Sequence, residues 1–312
     1  MAACRNAAAT MAGLLRFPAA RADQLALAVT EAASNLHKHA EQGSLLLCVS
    51  RDAEPPGIAL VTIDAGPGLP DVGAAWRDGH STAGTLGIGL GAIRRLADSC
   101  DVYSVPGRGT ALVARFWPVP CQPAIRYAGL IRPITGEIEC GDAFGAVQTG
   151  EVVTALLCDG LGHGPLAAAA ATEAVTAVLE APAAEPAALL ERAHRRLSGT
   201  RGGAVGIVQI AGRAARFAGL GNVTASILSA GRRKGMLSVP GIAGHQARTI
   251  RQFEYEVPPD AAIVLHSDGL SSRWDTAGVP GLEARDPLLI AAVLLAVAGS
   301  HRDDAGVLVL KP

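Results

Sequence analysis

The sequence predicts a mixed α/β (α+β) chain of two domains, and three observations carry that reading. Strand-like apolar runs alternate with segments of helical periodicity along the whole length. A break, "FWPVPCQPA" at 116–124, holds three prolines between the alternating run "TALVARF" and a new start, "IRYAGLIRPITG". The halves on either side differ in pattern and no internal repeat links them, so two different folds are expected, over 1–119 and 120–312.

Composition bounds the function. The 312 residues are long for one ordinary domain. Hydrophobic residues make up 49%, much of it alanine, and aromatics only 4%, which predicts tightly packed layers with few bulky anchors. With 27 basic and 28 acidic residues the net charge is −1. No basic block stands out, so no nucleic-acid footprint is expected. None of the six cysteines is in C-x-x-C spacing and no Cys/His zinc pattern emerges. Cys48 and Cys158, in apolar runs, read as small core residues. The start lacks a signal-peptide pattern. The longest apolar run, "PLLIAAVLLAVAG" at 287–299, falls short of the roughly 20 residues that span a bilayer. A soluble cytoplasmic protein without membrane contact is therefore expected.

The elements follow in order. Leu25, Leu27, Ala28, Val29, Ala32 and Leu36 repeat at helical spacing and predict an amphipathic helix over 21–40. Strands are expected at "SLLLCVSRD" and, after the turn "EPPG", at "GIALVTIDAG". A helix follows over about 87–99, and a hairpin closes at "VPGRG", 105–109. Beyond the break, "EVVTALLCD" reads as a buried strand, with helices at about 165–180 and 186–198. Strands follow at "GAVGIVQIA", "RAARFAGLG", "TASILSA" and "AAIVLHSD", then a helix over 286–298 and a last strand at "AGVLVLKP".

Two constellations carry chemistry. In the first half, Glu31 and Asn35 stand four apart on one helix face. "DAGPGLPD" then places Asp64 at the end of an apolar run, and "STAGTLGIGLGAIRRLAD" carries glycines 84, 87, 89 and 91. A dinucleotide-binding turn needs its glycines directly between strand and helix, and "WRDGHSTA" is not a strand. A lid whose N–H groups and helix N-terminus meet phosphates fits better.

In order and spacing, "EAASN", "DAGPG", "GTLGIGLG" and "GRGTALV" resemble the GHKL (Bergerat) ATPase fold, an α/β sandwich. The set is most similar to the small bacterial serine kinases that regulate anti-sigma partners, over about residues 10–117. The resemblance implies ATP with Mg²⁺ as cofactor. It implies that Asn35 holds the Mg²⁺, that Asp64 accepts the adenine amino group, and that Thr110 lines the adenine end. By the same resemblance Gly66, Gly68, Gly84, Gly87, Gly89 and Gly91 shape pocket and lid, Lys38 reaches phosphate, and Glu31 is the general base for the attacking hydroxyl. The segment before residue 10 is short for the family's first edge strand, which bears on a homodimer or partner face.

In the second half, aspartates cluster at strand ends: Asp142 in "CGDAFGAV", Asp159 in "LLCDGLGHG", Asp268 in "IVLHSDGLSS" and Asp303–Asp304 in "HRDDAGVLVL". One such aspartate is commonly a helix cap or turn former. Several at adjacent strand ends can converge on hard divalent cations, and oxygen-only donors suit Mg²⁺ or Mn²⁺. Glycine after Asp159 allows a sharp turn. Two such cations provide a nucleophile at neutral pH and clamp the oxygens of an in-line displacement, which points to hydrolysis of a phosphate monoester.

The order "GD…DGLGHG…SDGL…DDAG" resembles the metal-dependent serine/threonine phosphatases of the PPM superfamily, in their SpoIIE-like branch, over 125–312. An α-β-β-α sandwich is thereby implied. So is a pair of ions, with Asp159 bridging both, the Gly160 carbonyl binding one, and Asp142, Asp268 and Asp303 completing the shell. Asp303 aligns with the family ligand better than Asp304. His163 is a candidate for protonating the leaving serine oxygen, or else a turn histidine, and His266 is expected to point into packing. The arginine that anchors phosphate in many eukaryotic relatives has no match.

Together the resemblances imply a fused switch enzyme acting on a small regulatory phosphoprotein of the anti-anti-sigma (STAS) type. Two alternatives remain at this point: a phosphatase whose first domain only senses ATP or binds a partner, and a non-enzymatic anti-sigma binding protein.

Overall fold

The computed structural model describes residues 1–76, 89–124 and 126–312, and it separates into two units, Met1–Ile125 and Arg126–Pro312. In the first unit, helices α1 (Ala2–Leu14) and α2 (Ala19–His39) precede strands β1 (Ser44–Ser50) and β2 (Gly57–Ile63). The short α3 (Val72–Ala75), α4 (Gly89–Leu96), β3 (Ser99–Ser104) and β4 (Thr110–Phe116) complete it. The strands form one antiparallel sheet in the order β1-β2-β4-β3.

The stripe read from the sequence faces this sheet. Leu25, Ala28, Val29 and Ala32 of α2 are buried against Ile58, Leu60, Leu112, Ala114 and Phe116, with Ile93 of α4 beside them. Leu27, assigned to the same stripe, is instead 58% exposed. At 100° per residue it lies well off the line from Leu25 through Val29. The segment before residue 10, read as short for the family's first edge strand, is helical and belongs to α1. Its Ala8 and Ala12 pack into the same core, because small side chains let the helix approach closely.

The second unit begins with β5 (Tyr127–Arg132), β6 (Asp142–Thr149) and β7 (Val152–Gly160). Helices α5 (Pro165–Leu179) and α6 (Pro186–Arg196) follow, then β8 (Gly203–Ala211), β9 (Ala214–Leu220), β10 (Thr224–Ser229), β11 (Arg232–Met236), β12 (Phe253–Glu256) and β13 (Ala262–His266). Helix α7 (Pro287–Ala298) and β14 (Ala305–Leu310) close the unit. Two five-stranded sheets result, β11-β10-β13-β14-β5 and β12-β9-β8-β7-β6, every pairing antiparallel.

Strand alternation sorts the side chains into layers. Val153, Ala155 and Leu157 of β7 meet Ile263 and Leu265 of β13 and Leu308 and Leu310 of β14 between the sheets. Leu156 and Cys158 face the other way, into the alanine-rich side of α5 and the leucines of α6. Helix α7 covers the opposite sheet, beside β5 and β14. The unit is an α-β-β-α sandwich. Among the described residues no helix is long and apolar enough to cross a membrane.

Candidate functional site

In the first unit, α2 holds Glu31 and Asn35 half-buried on one face, beside its buried stripe. Gly89, opening α4, lies against Asn35: a Cβ there would stand 3.2 Å from both Oδ1 and Nδ2 of the amide. Gly91 is buried within α4, Lys38 is exposed in the last turn of α2, and Gly84 and Gly87 lie outside the described residues.

The loop after β2 folds onto the β3–β4 hairpin. The Asp64 N–H donates to the Thr110 carbonyl (3.0 Å), and the Gly66 N–H donates to the Asp64 carboxylate (2.7 Å). Burial raises the Asp64 pKa, while N–H donors from Gly66 and Thr110 pull it back. Gly68, at φ +72, and Gly109, at φ +96, make the closure: a Cβ on Gly109 would sit 1.9 Å from the Asp64 carbonyl oxygen. Ser104 ties the hairpin to the loop, its Oγ accepting from the Leu69 N–H at 2.7 Å and lying 3.0 Å from the Thr110 hydroxyl. The end of α2 meets the same loop, where the Ala65 N–H donates to the Glu41 carbonyl. Asp64, Gly66, Gly68 and Thr110 are thus brought to one place, and Asn35 and Gly89 to another beside Glu31.

In the second unit, β6 and β7 pair so that Asp142 stands directly opposite Asp159. Continuing the alternation of Val153, Ala155 and Leu157, Asp159 faces the space between the sheets, and its cross-strand partner Asp142 shares that face. Ser267 continues Ile263 and Leu265 on the other sheet. Its buried hydroxyl donates to Asp142 Oδ2 at 2.6 Å and accepts from the Gly306 N–H at 2.9 Å. Asp268 accepts from the Asn222 amide at 2.6 Å and shares a side-chain hydrogen bond with Asp159.

The two neighbouring aspartates before β14 behave differently. Asp304 is 3% exposed, and its carboxylate accepts from the Ile134 and Gly141 N–H groups at 2.8 and 2.9 Å. Asp303 is exposed, and its charge is felt at Asp142, Asp159 and Asp268. Burial and then the charges of Asp304, Asp268 and Asp303 drive Asp142 up to about 7, against the pull of the Ser267 hydrogen bond. Burial, followed by the neighbouring aspartates, raises Asp159 and Asp268 as well. Among the described residues no three His, Cys, Asp or Glu side chains already form a closed ion cage. The electrostatic demand is nonetheless plain. Partly buried carboxylates that repel one another, with no cation among the groups that set their pKa values, make a donor set that fits hard divalent ions.

Gly160 sits where a Cβ would stand 2.3 Å from the Ala167 carbonyl oxygen, and its N–H donates to the Gly141 carbonyl. Beyond it, Gly162 and Gly164 take positive φ (+87 and +74), and α5 starts at Pro165. His163 is exposed on this loop and pairs through Nδ1 with the Glu137 carboxylate at 3.0 Å. His266 is buried, with Nδ1 on the Ser267 carbonyl, and burial lowers its pKa. Ser267, Asn222, Glu137 and the clamping role of Asp304 escaped the sequence reading. Ser267, Asn222 and Glu137 each act on a residue far away in sequence, and the two N–H groups that Asp304 receives come from the equally distant residues 134 and 141.

Comparison with known proteins finds relatives for both halves of the chain. The family model of the histidine kinase-like ATPase domain matches residues 1–116, and that of stage II sporulation protein E (SpoIIE) matches residues 149–311. The serine/threonine-protein kinase RsbT of Bacillus subtilis (strain 168) is 33% identical over 115 residues, which is 37% of this chain and 86% of RsbT. A chain solved in a study of the bacterial stressosome is similar at 27% identity with a TM-score of 0.55, over 60% of this chain and 98% of that one. The crystal structure of RsbX in complex with magnesium shares the fold at 20% identity and a TM-score of 0.50, over 60% of this chain and 96% of that one. With strand-end aspartates set in an α-β-β-α sandwich, and an RsbT-like sequence preceding it in the chain, the protein belongs to the SpoIIE family.

Proposed function

We propose that the second unit hydrolyses phosphoserine or phosphothreonine on a small regulatory protein of the STAS type, and that the first unit binds ATP with Mg²⁺ and phosphorylates a protein serine. The observation that carries the phosphatase half is the pairing of Asp142 with Asp159 across one ladder, with Asp268 bonded to Asp159 and Asp303 in Coulombic reach. Asp142, Asp159, Asp268, Asp303 and the Gly160 carbonyl would hold two Mn²⁺ or Mg²⁺ ions. Those ions supply charge neutralisation for the phosphoryl group and a water activated at neutral pH.

The chain's own residues do the rest. Ser267 fixes the rotamer of Asp142, Asn222 fixes Asp268, and Asp304 holds the backbone that carries Asp142. His163, oriented by Glu137, delivers a proton to the departing serine oxygen. In the first unit Glu31 would take the proton of the attacking hydroxyl, Asn35 would hold the Mg²⁺ of the nucleotide, and Lys38 would reach toward phosphate. Asp64 and Thr110 would receive the adenine, with Gly66 and Gly68 shaping the pocket there and Gly89 and Gly91 belonging to the lid beside Asn35.

RsbT supports a protein serine as acceptor, and the stressosome neighbour supports a partner within a regulatory assembly. Joining both activities in one chain raises the effective concentration of each at a shared partner. Six free thiols fit a reducing cytoplasm. The test is phosphate release and labelled γ-phosphate transfer on one STAS-type partner. Asp159→Asn is expected to lose release by about three orders of magnitude while keeping transfer, and Glu31→Gln to lose transfer by ~10²–10⁴-fold while keeping release. Equal rates in wild type and Asp159→Asn would refute the phosphatase assignment.

A further inference from the structure

The edge of a sheet presents a row of unpaired N–H and C=O groups, which chains commonly protect with charge, proline or a bulge. Among the described residues every edge strand but one carries a charge: Asp101 stands in β3, Arg132 in β5, Asp142 in β6, Lys234 in β11 and Glu254 in β12. The exception is β1, "SLLLCVS", which has no charge, proline or glycine and pairs with β2 over its whole length without a bulge. We propose that β1 is an association surface whose occupant is the β1 of a second copy of this chain, added antiparallel so that two four-stranded sheets become one.

Exposure along β1 points to a partner at the edge and not on a face. Val49 stands opposite Ile58, on the side of the sheet that carries the helices, and is 42% exposed. Leu46 stands opposite Val61, on the other side, and is 38% exposed. A body resting on either face would cover one of them and leave the other in water. A strand laid along the edge touches both.

The strand is also complementary to itself. About a two-fold axis through Leu47, Ser44 meets Ser50, Leu45 meets Val49 and Leu46 meets Cys48 of the second copy, with Leu47 on Leu47. Leu45, Leu47 and Val49 then extend the apolar layer of Ile58 and Leu60, while Leu46 and Cys48 cover the opposite side. Each cross-strand pair is apolar or Ser–Ser, so no like charges meet. Glu41 and Arg51, both exposed, flank the strand at opposite ends. Antiparallel addition brings these unlike charges toward one another, where parallel addition would bring like ones together. Such an isologous contact closes at two copies.

The size of the contact sets its strength. A ribbon about 20 Å long and about 10 Å deep falls short of the ~1,200 Å² at which stable interfaces begin. The pairing is therefore a reversible dimer that forms with concentration.

The test is sedimentation velocity of the full chain from low to high micromolar concentration, joined to cysteine cross-linking. Wild type is expected to pass from monomer to dimer, and Leu46→Lys to raise the dissociation constant by about 10-fold or more with an unchanged melting temperature. Leu46→Cys reads the register, because it sets a thiol directly opposite Cys48 of the second copy, within reach of a disulfide. Mild oxidation should link Leu46→Cys into a covalent dimer. Neither wild type nor Leu46→Cys/Cys48→Ser should link, since their thiols are diagonal, with Cα atoms ~7–8 Å apart. A chain that stays monomeric to high micromolar concentration and gives no Leu46→Cys dimer overturns the proposal. So does a dimer whose dissociation constant Leu46→Lys leaves within about 2-fold and that forms no Leu46→Cys link, because its contact then lies elsewhere.

Discussion

Placing Asp142 opposite Asp159 loads the β6–β7 ladder with a charge that folding must tolerate when no cation is bound, and the cost is measurable in Asp142→Asn. The carboxyl of Asp142 rises from 3.8 to about 7, first through burial and then through Asp304, Asp268 and Asp303. A raised carboxyl pKa means that the folded chain holds its proton longer than the unfolded chain does. The stability tied to that proton is fully present below about pH 4 and is lost as pH climbs through about 7. A rise of about 3 on the pH scale corresponds to ~4 kcal/mol, an upper figure once water and side chains relax around the charge. Asparagine keeps an acceptor for the Ser267 hydroxyl but never ionises. In chelator, therefore, urea unfolding of the full chain, read by pulse proteolysis on fragments of the second unit, should show the variant gaining on wild type between pH 4.5 and 8. The expected gain is several kcal/mol, and Mn²⁺ should reverse it by stabilising wild type more strongly. A stability difference flat to within ~0.5 kcal/mol across that range would refute the charge-loading argument.

Two further outcomes test neighbouring features. Asp304→Asn leaves one of two backbone N–H groups without its acceptor and is expected to destabilise the second unit by ~1–3 kcal/mol, whereas Asp303→Asn should leave stability within ~0.5 kcal/mol and weaken Mn²⁺ binding by calorimetry; the reverse pattern would exchange their roles. Gly109→Ala drives a methyl onto the Asp64 carbonyl at a left-handed position, so a loss of more than ~1–2 kcal/mol and weakened binding of a fluorescent ATP analogue are expected, and unchanged binding would remove the hairpin from the nucleotide pocket.

What could be read from the sequence was what leaves a periodic trace. The stripe on α2 and the apolar run into Asp159 place Glu31, Asn35 and Asp159 on elements with defined faces, and "VPGRG" marks the hairpin that closes on Asp64. Strand β6 went unread because Gly145 and Gln148 interrupt its alternation, and only pairing with β7 defines it. Helix α1 went unread because its alanines show little contrast between faces. Asp303 and Asp304 are adjacent and chemically identical in sequence. Burial against the Ile134 and Gly141 amides is what separates them. Asn222 and Ser267 enter only through long-range packing, the one property that a local pattern does not encode.

The turn between β6 and β7 consists of Gly150, at φ +60, and Glu151, a two-residue hairpin loop with glycine in its first position. It lies seven pairing steps from Asp142, on the order of 24 Å along the strand. That turn acts as a ruler. Adding or deleting one residue there shifts the count, and an odd shift turns Asp159 from the inter-sheet face toward α5. The length of this hairpin therefore carries register information even though its tip lies far from the site. A frame-preserving insertion at Gly150 should silence the enzyme as completely as loss of Asp159, without removing a single functional atom.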